Sequence, residues 1–321
     1  MKLTLDKKDK KILYQLDCNA RQTFSEIAKK VGLSKEVVNY RIKRLENVGV
    51  IKGYYAVVNM SRLGYICNRF FIKFRNITPQ EEEAIISWFV KHPKYWWVDS
   101  SDAYRDLGVG TWEKNILGCH AVRDEFMKEF KIYIHEMEHS VYTRFEMYKR
   151  AYLLDKKTCD TPVINYVNND IVAIDSVDRE ILKNVAANAR MPAIEIAKKL
   201  KTTISVVNYR IKKLEKNNVI ETYRAMINLS KIGYSWYKVE FILKDYKKKK
   251  EMINYFAVHP NIVYTYESTA QADLELEMEV ESYEKFRKVL NDIRTAFNDA
   301  IESYKHFMWY KEHKIQFFPC D

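Results

Sequence analysis

The chain has 321 residues, 47% of them apolar and 30% charged, with only 8 Gly and 6 Pro. This composition excludes collagen-like, linker-like and proline-rich disordered chains, and no apolar run approaches the ~18–20 residues of a membrane span. The formal net charge is +11, of which residues 1–53 carry +7 and residues 170–222 carry +3, while the two longer stretches are near neutral. Two basic segments set apart by neutral ones are an electrostatic footprint for a polyanion.

The N-terminus has no apolar secretory core, and the five cysteines are scattered without a CxxC. Free thiols in a reducing cytoplasm are therefore expected, with no metal site.

In chain order, Ile12, Leu13 and Leu16 mark one face of a first helix between Asp6 and Cys18. Ile27, Ala28 and Val31 mark a second over 25–31. Gly32-Leu33 forms a turn, Ser34 caps a third helix over 35–47, and Gly49 closes it. On the third helix Val38, Ile42 and Leu45 make a narrow apolar stripe with a polar, cationic back, the form of a helix that sits in a DNA major groove. A neutral stretch follows as strand 66–74, helix 80–91, strands 95–100 and 105–111, helix 116–133 and strand 140–153. This β-α-β-β-α-β order is that of a ferredoxin-like sandwich.

The chain then repeats itself. Residues 5–65 lie over 174–234 without a gap, with 29 of 61 positions identical, and the match continues through His92-Pro93 and His259-Pro260. The period is too long for a solenoid, so this is a duplicated two-domain unit. The fold class is α+β: two three-helix, winged-type helix-turn-helix domains alternating with two ferredoxin-like domains. The expected boundaries are 1–53, 54–154, a linker at 155–170, 171–222 and 223–321. The open sheet face of each neutral domain needs a cover, and the other copy is the simplest one.

A helix-turn-helix joined to a β-α-β-β-α-β module resembles the Lrp/AsnC (feast/famine) transcription regulators. The run Arg41-Ile42-Lys43-Arg44-Leu45-Glu46 through Gly49-Val50-Ile51-Lys52-Gly53-Tyr54 looks like the family's recognition helix and connector, continued by Asn59 to Tyr65. The resemblance implies double-stranded DNA as partner, self-association, no cofactor and no enzymatic activity. It points to Ser34, Lys35, Glu36, Asn39, Tyr40, Arg41, Lys43 and Arg44 as DNA contacts. The matching residues of the second copy are Thr203, Ser205, Asn208, Tyr209, Arg210, Lys212 and Lys213.

It also implies an amino-acid-like effector at the turn where the family carries Gly-x-x-Asp. Here that turn holds Asp102, Ala103 and Asp106, and in the second copy Thr269, Ala270 and Asp273. Ala accepts a positive φ less readily than Gly, which argues against effector binding in the family's manner. The second helix-turn-helix has Lys201 in place of Gly32 and a lower net charge, and is expected to be the weaker DNA contact.

Other features lead elsewhere. His135 to His139 spells HExxH, but it falls at the start of a strand, where residues four apart are roughly 13 Å from each other and cannot share a metal. Glu81-Glu82-Glu83 aligns with Lys248-Lys249-Lys250, an arrangement that suits pairing between copies. Two alternatives share the architecture: a siroheme-decarboxylase-like enzyme, whose His-Asn-Tyr-type signature is not seen in Tyr95-Trp96-Trp97-Val98-Asp99, and a DNA-compacting protein of low specificity.

Overall fold

A computed structural model describes residues 3–155, 158, 164–165 and 170–318. Most of the expected linker lies outside the described residues, as does Cys320.

The first helix-turn-helix is α1 (Lys7–Cys18), α2 (Phe24–Val31) and α3 (Lys35–Asn47). Side chains of Asp6, Thr23 and Ser34 cap the three N-termini by accepting from backbone N–H groups, which satisfies donors that helix ends leave open. Its copy is α6 (Ser176–Ala187), α7 (Ala193–Lys199) and α8 (Ile204–Lys216). At the α2–α3 turn Gly32 has φ +66°, and Lys201 holds the same left-handed place with φ +50°. The turn therefore survives the loss of its glycine, at a cost of roughly 1 kcal/mol.

Between the helical units and the sheets, the expected connectors form a pair of strands. Strands β1 (Ile51–Val58) and β7 (Ile220–Ile227) form an antiparallel two-stranded ribbon. Each copy grips the other across it in the same way. Ala20 N–H donates to Tyr223 O (2.8 Å) and Ala189 N–H to Tyr54 O (3.0 Å). Arg21 donates to Ala189 O and Arg190 to Ala20 O, both at 2.7 Å. Reciprocal contacts of this kind mark an approximate two-fold relation.

The first neutral unit contains β2 (Ile66–Phe74), α4 (Pro79–Lys91), β3 (Tyr95–Ser101), β4 (Leu107–Glu113), α5 (Ile116–Phe130) and β5 (Ile134–Met147). A two-residue strand β6 (Ile164–Asn165) pairs antiparallel with the end of β5. The second unit contains the short α9 (Leu229–Ile232), β8 (Ser235–Leu243), α10 (Lys249–Val258), β9 (Ile262–Ser268), β10 (Leu274–Val280), α11 (Tyr283–Ala296) and β11 (Ile301–Ile315). Strand β5 begins six residues before the expected strand, so the HExxH run lies on a strand.

The two sheets do more than cover each other. β3 hydrogen-bonds to β11 and β9 to β5, so eight strands close in the order β2-β4-β3-β11-β8-β10-β9-β5 and back to β2. Closure leaves none of these eight strands as a sheet edge. Outside it, α4 and α5 pack Ile85, Phe89, Val122 and Phe126 on Phe70, Ile72, Val98, Leu107 and Val109. On the other half α10 and α11 pack Met252, Phe256, Phe286 and Leu290 on Val239, Phe241, Leu274 and Leu276. The alternate residues face the barrel interior.

Lys248 pairs with Glu251, Lys249 with Glu267, and Glu81 closes the capping box of α4 with Thr78. Within the chain the lysine run and the glutamate run do not meet: Lys248, Lys249 and Glu81 have partners inside their own units.

Candidate nucleic-acid interface

Helices α3 and α8 bury the stripes Val38, Ile42, Leu45 and Val207, Ile211, Leu214. Their opposite faces are open. Ser34, Lys35, Glu36, Tyr40 and Lys43 are exposed on the first. Thr203, Ser205, Asn208, Tyr209, Lys212 and Lys213 are exposed on the second. Tyr40 and Tyr209 stand 67% and 69% accessible, which is far from the packing aromatic side chains usually seek. Asn39 is half-buried. Exposed Val37, Ile204 and Val206 lie on the same faces and were not singled out from the sequence.

Three of the expected contacts turn inward instead. Arg41 bridges Asp6 (2.7 Å) and Asp9 (2.8 Å) at the start of α1, and Arg44 reaches Asp9 at 2.5 Å. Arg210 repeats the arrangement with Asp175 (2.5 Å) and Asp178 (3.0 Å). Asp9 and Asp178 are almost fully buried. A buried carboxylate needs its cation, so these arginines fasten the recognition helix to α1. The sequence signal was available in the matched spacing of Asp6, Asp9 and Arg41 with Asp175, Asp178 and Arg210. Lys43, Lys212 and Lys213 remain as the exposed cations of the expected set along with Lys35.

The expected effector turns sit at the two seams of the barrel. Asp102 N–H donates to Met308 O, and Thr269 exchanges hydrogen bonds with Val141. Asp106 accepts from Phe74 N–H and from Lys73, both at 2.7 Å, and Asp273 accepts from Leu243 N–H at 2.8 Å. Ala103 adopts φ +87° without a glycine, whereas Ala270 has no positive φ. The carboxylates of Asp106 and Asp273 therefore close strand ends.

The barrel interior is charged, a feature with no local signal in the sequence. Arg69 of β2 meets Glu275 of β10 through its two terminal guanidinium nitrogens and also donates to Ser140 and Ser268. Lys238 joins Glu275 (2.8 Å) and Glu277 (3.2 Å). Arg105 bridges Glu240 (2.5 Å) and Glu138 (2.7 Å). Burial pushes the Glu275 carboxyl up, but the charges of Arg69 and Lys238 more than reverse this and hold it far below the usual carboxylate range. Asp99 is different: burial first, then the neighbouring Glu312 charge, raise its carboxyl well above the usual range.

A second buried chain ties this interior to the first helix-turn-helix. Asp17, near the end of α1, accepts from Arg150 (2.7 Å) and Arg224 (2.8 Å), and Arg150 continues to Glu279 (2.8 Å). Burial raises the Asp17 carboxyl, and the two arginine charges bring it below its ordinary value.

A winged helix-turn-helix DNA-binding family matches residues 5–52 and 174–221. The transcriptional regulator LrpA of Pyrococcus horikoshii is 48% identical over 61 residues, 19% of this chain and 43% of that protein. LrpB of Bacillus subtilis, also an HTH-type transcriptional regulator, is 30% identical over 120 residues, 37% of this chain and 80% of that protein. The chain thus spans less than half of LrpA and most of LrpB. Among solved structures, the siroheme decarboxylase NirDL has the same fold over nearly the whole length, with a TM-score of 0.63, 14% identity, and coverage of 98% of this chain and 94% of that one.

Proposed function

The chain belongs to the Lrp/AsnC family of transcription regulators, and from that premise we propose that it is a sequence-specific DNA-binding regulator that works as an intrachain pseudo-dimer. The observation that carries the DNA reading is the pair of recognition helices, each with one buried stripe and an exposed Tyr and Lys at matching positions, Tyr40 and Lys43 against Tyr209 and Lys212. An exposed polar helix face bearing an aromatic ring and cations suits base edges and phosphates.

The interior charges support pairing of unlike copies. Copy-one cations Arg69 and Arg105 are matched by copy-two acids Glu275 and Glu240. At the positions equivalent to Glu275 and Glu240, copy one has Gly108 and Phe71. Two first copies paired together would bury their arginines without these partners. Two second copies would bury Glu240, Glu275, Glu277 and Glu279 twice over, against Lys238. Each unpaired buried charge costs several kcal/mol, so only the heterologous pairing is favourable.

With both halves in one chain, the two half-sites are free to differ. Asn39/Asn208, Tyr40/Tyr209 and Lys43/Lys212 give them a common core. Glu36, which accepts from a cytosine amino group, makes the half under α3 more stringent than the half under α8, where Ser205 is permissive. The siroheme reading is not favoured: a tetrapyrrole's carboxylates call for free cations, and the interior cations Arg69, Lys238, Arg105 and Arg150 are already paired with acids.

Selection of binding sites from a random DNA pool tests the proposal. We expect two related, unequal half-sites and a log–log salt slope that grows by about −0.9 per neutralised phosphate. No enrichment over random DNA overturns sequence-specific regulation in favour of a DNA-compacting role. A perfect palindrome with equal arms overturns the pseudo-dimer.

A further inference from the structure

Where the β1–β7 ribbon meets the barrel there is a cavity of about 450 Å³. Four of the six tryptophans in the chain, Trp96, Trp97, Trp236 and Trp309, line it. That volume falls in the range of small-molecule sites, which are roughly 300–1,000 Å³ and mostly aromatic or apolar.

The walls are fixed before any ligand arrives. Trp309 stands edge-on to Trp97 with ring centres 5.3 Å apart, and 5.8 Å from Trp236. Trp236 and Trp309 both donate their ring N–H to Glu277, at 2.9 and 3.3 Å. The barrel makes room for these rings with two glycines. A Cβ on Gly108 would lie 2.5 Å from Trp309 and 2.7 Å from Trp97, and one on Gly110 would lie 2.9 Å from Trp96. Those contacts are too close for any larger residue. The second copy has Glu275 and Glu277 at the two positions, so the space exists on one side of the pseudo-two-fold only.

The polar groups narrow the ligand class. Lys52 is bridged to Glu312 and Arg150 to Glu279, so these wall charges are neutralised in place. The hydroxyls of Tyr55 and Tyr264 line the cavity and carry no hydrogen bond among the described residues. Flat π faces, wall charges that are paired apart from Lys311, and open hydroxyls that include Tyr55 and Tyr264 favour an uncharged planar ring with a hydrogen-bonding edge. An aliphatic amino acid has no π face for the tryptophans and would find a counter-charge only in Lys311 at the wall.

We propose that this cavity is a binding site for a planar, uncharged heteroaromatic ring of about indole or purine size, held by tryptophan stacking and by Tyr55 and Tyr264. Its use as an effector pocket rests on the regulator reading, but its existence does not, because binding is measured without DNA.

The test is titration of the full chain with adenine, indole, leucine and lysine, followed by tryptophan fluorescence and calorimetry. Saturable binding of adenine or indole, with quenching and no binding of the two amino acids, is the expected result. The Tyr264→Phe variant keeps the ring and should weaken binding about 5- to 10-fold, the size of one lost hydrogen bond. Trp236→Leu removes a half-buried wall ring and should weaken it at least as much. Binding by neither heterocycle, equal binding of leucine, or unchanged affinity in both variants overturns the proposal. Any of these leaves the DNA-selection result standing on its own.

Discussion

The two halves of the barrel share a fold but not an interior. Along β4 the inward positions read Gly108, Gly110 and Trp112; along β10 the equivalent positions read Glu275, Glu277 and Glu279. The same divergence runs down to the helix-turn-helix units. Asp17, Arg224 and Arg150 form a buried ionic cluster on one side. On the other side Ala186 and Tyr55 stand at the positions equivalent to Asp17 and Arg224, and Phe317 takes the place of Arg150, stacked on Tyr55 at 4.7 Å. A homodimer must accept every side chain twice. A fused pair needs each only once, so the inward face of β4 is lined by glycine and tryptophan where that of β10 is acidic.

The comparison breaks most sharply at Glu275. Replacing it with Leu strands Arg69 and leaves Lys238 with one acid, and should cost about 3–5 kcal/mol in urea unfolding. Adding Arg69→Leu should return a large part of that loss. If the double variant is no more stable than the single one, charge complementarity is not what joins the halves.

Next is Asp17→Ala, which gives α1 the residue its copy has. Arg150 and Arg224 lose their shared carboxylate, and a loss of about 3 kcal/mol is expected. Introducing Arg150→Phe, Arg224→Tyr and Glu279→Trp as well, so that Glu279 is not left without its cation, should recover at least half of it, since Phe317, Tyr55 and Trp112 already stand at these positions across the pseudo-two-fold. The same carboxylate gives a pH signature. Asp17 has a lowered folded-state pKa, so its contribution is fully present above the ordinary Asp value and is lost as pH falls below that value and through the lowered folded-state one.

Asp99 carries the opposite sign. Its pKa is raised in the folded chain, so the fold holds its proton more tightly than the unfolded chain does, and stability is lost as pH rises above the ordinary Asp value. Asp99→Asn should therefore raise the melting temperature, and more at pH 8 than at pH 5. An equal shift at both values would mean that Asp99 is not protonated in the fold.

The smallest effects sharpen the comparison at the DNA face. Lys43→Ala should reduce the salt slope of DNA binding by about 0.9 and leave stability nearly unchanged. Arg41→Ala should do the reverse, costing about 1–3 kcal/mol by leaving the buried Asp9 short of a donor. A large loss of salt slope with Arg41→Ala would return that residue to the DNA face.

Much of this was legible in the sequence because it is local or periodic. The duplication is written in identities, and the helix-turn-helix in the stripe of Val38, Ile42 and Leu45 with Ser34 as cap. The β-α-β-β-α-β order follows from alternating periods, since a helix or strand shows which of its faces is apolar. What lies on the other face depends on a distant partner. Leu274-Glu275-Leu276-Glu277-Met278-Glu279-Val280 reads as a strand with one face in water, yet Glu275, Glu277 and Glu279 are 1–2% exposed. Barrel closure, 206 residues away in chain for Arg69 and Glu275, turns that polar face inward and supplies its cations. Likewise α3 announces a cationic back, but only the packing of α1 against it decides that Arg41 and Arg44 bind aspartates while Lys43 stays exposed. Local pattern sets which side chains are polar; the tertiary structure sets whether water, a partner charge or a ligand satisfies them.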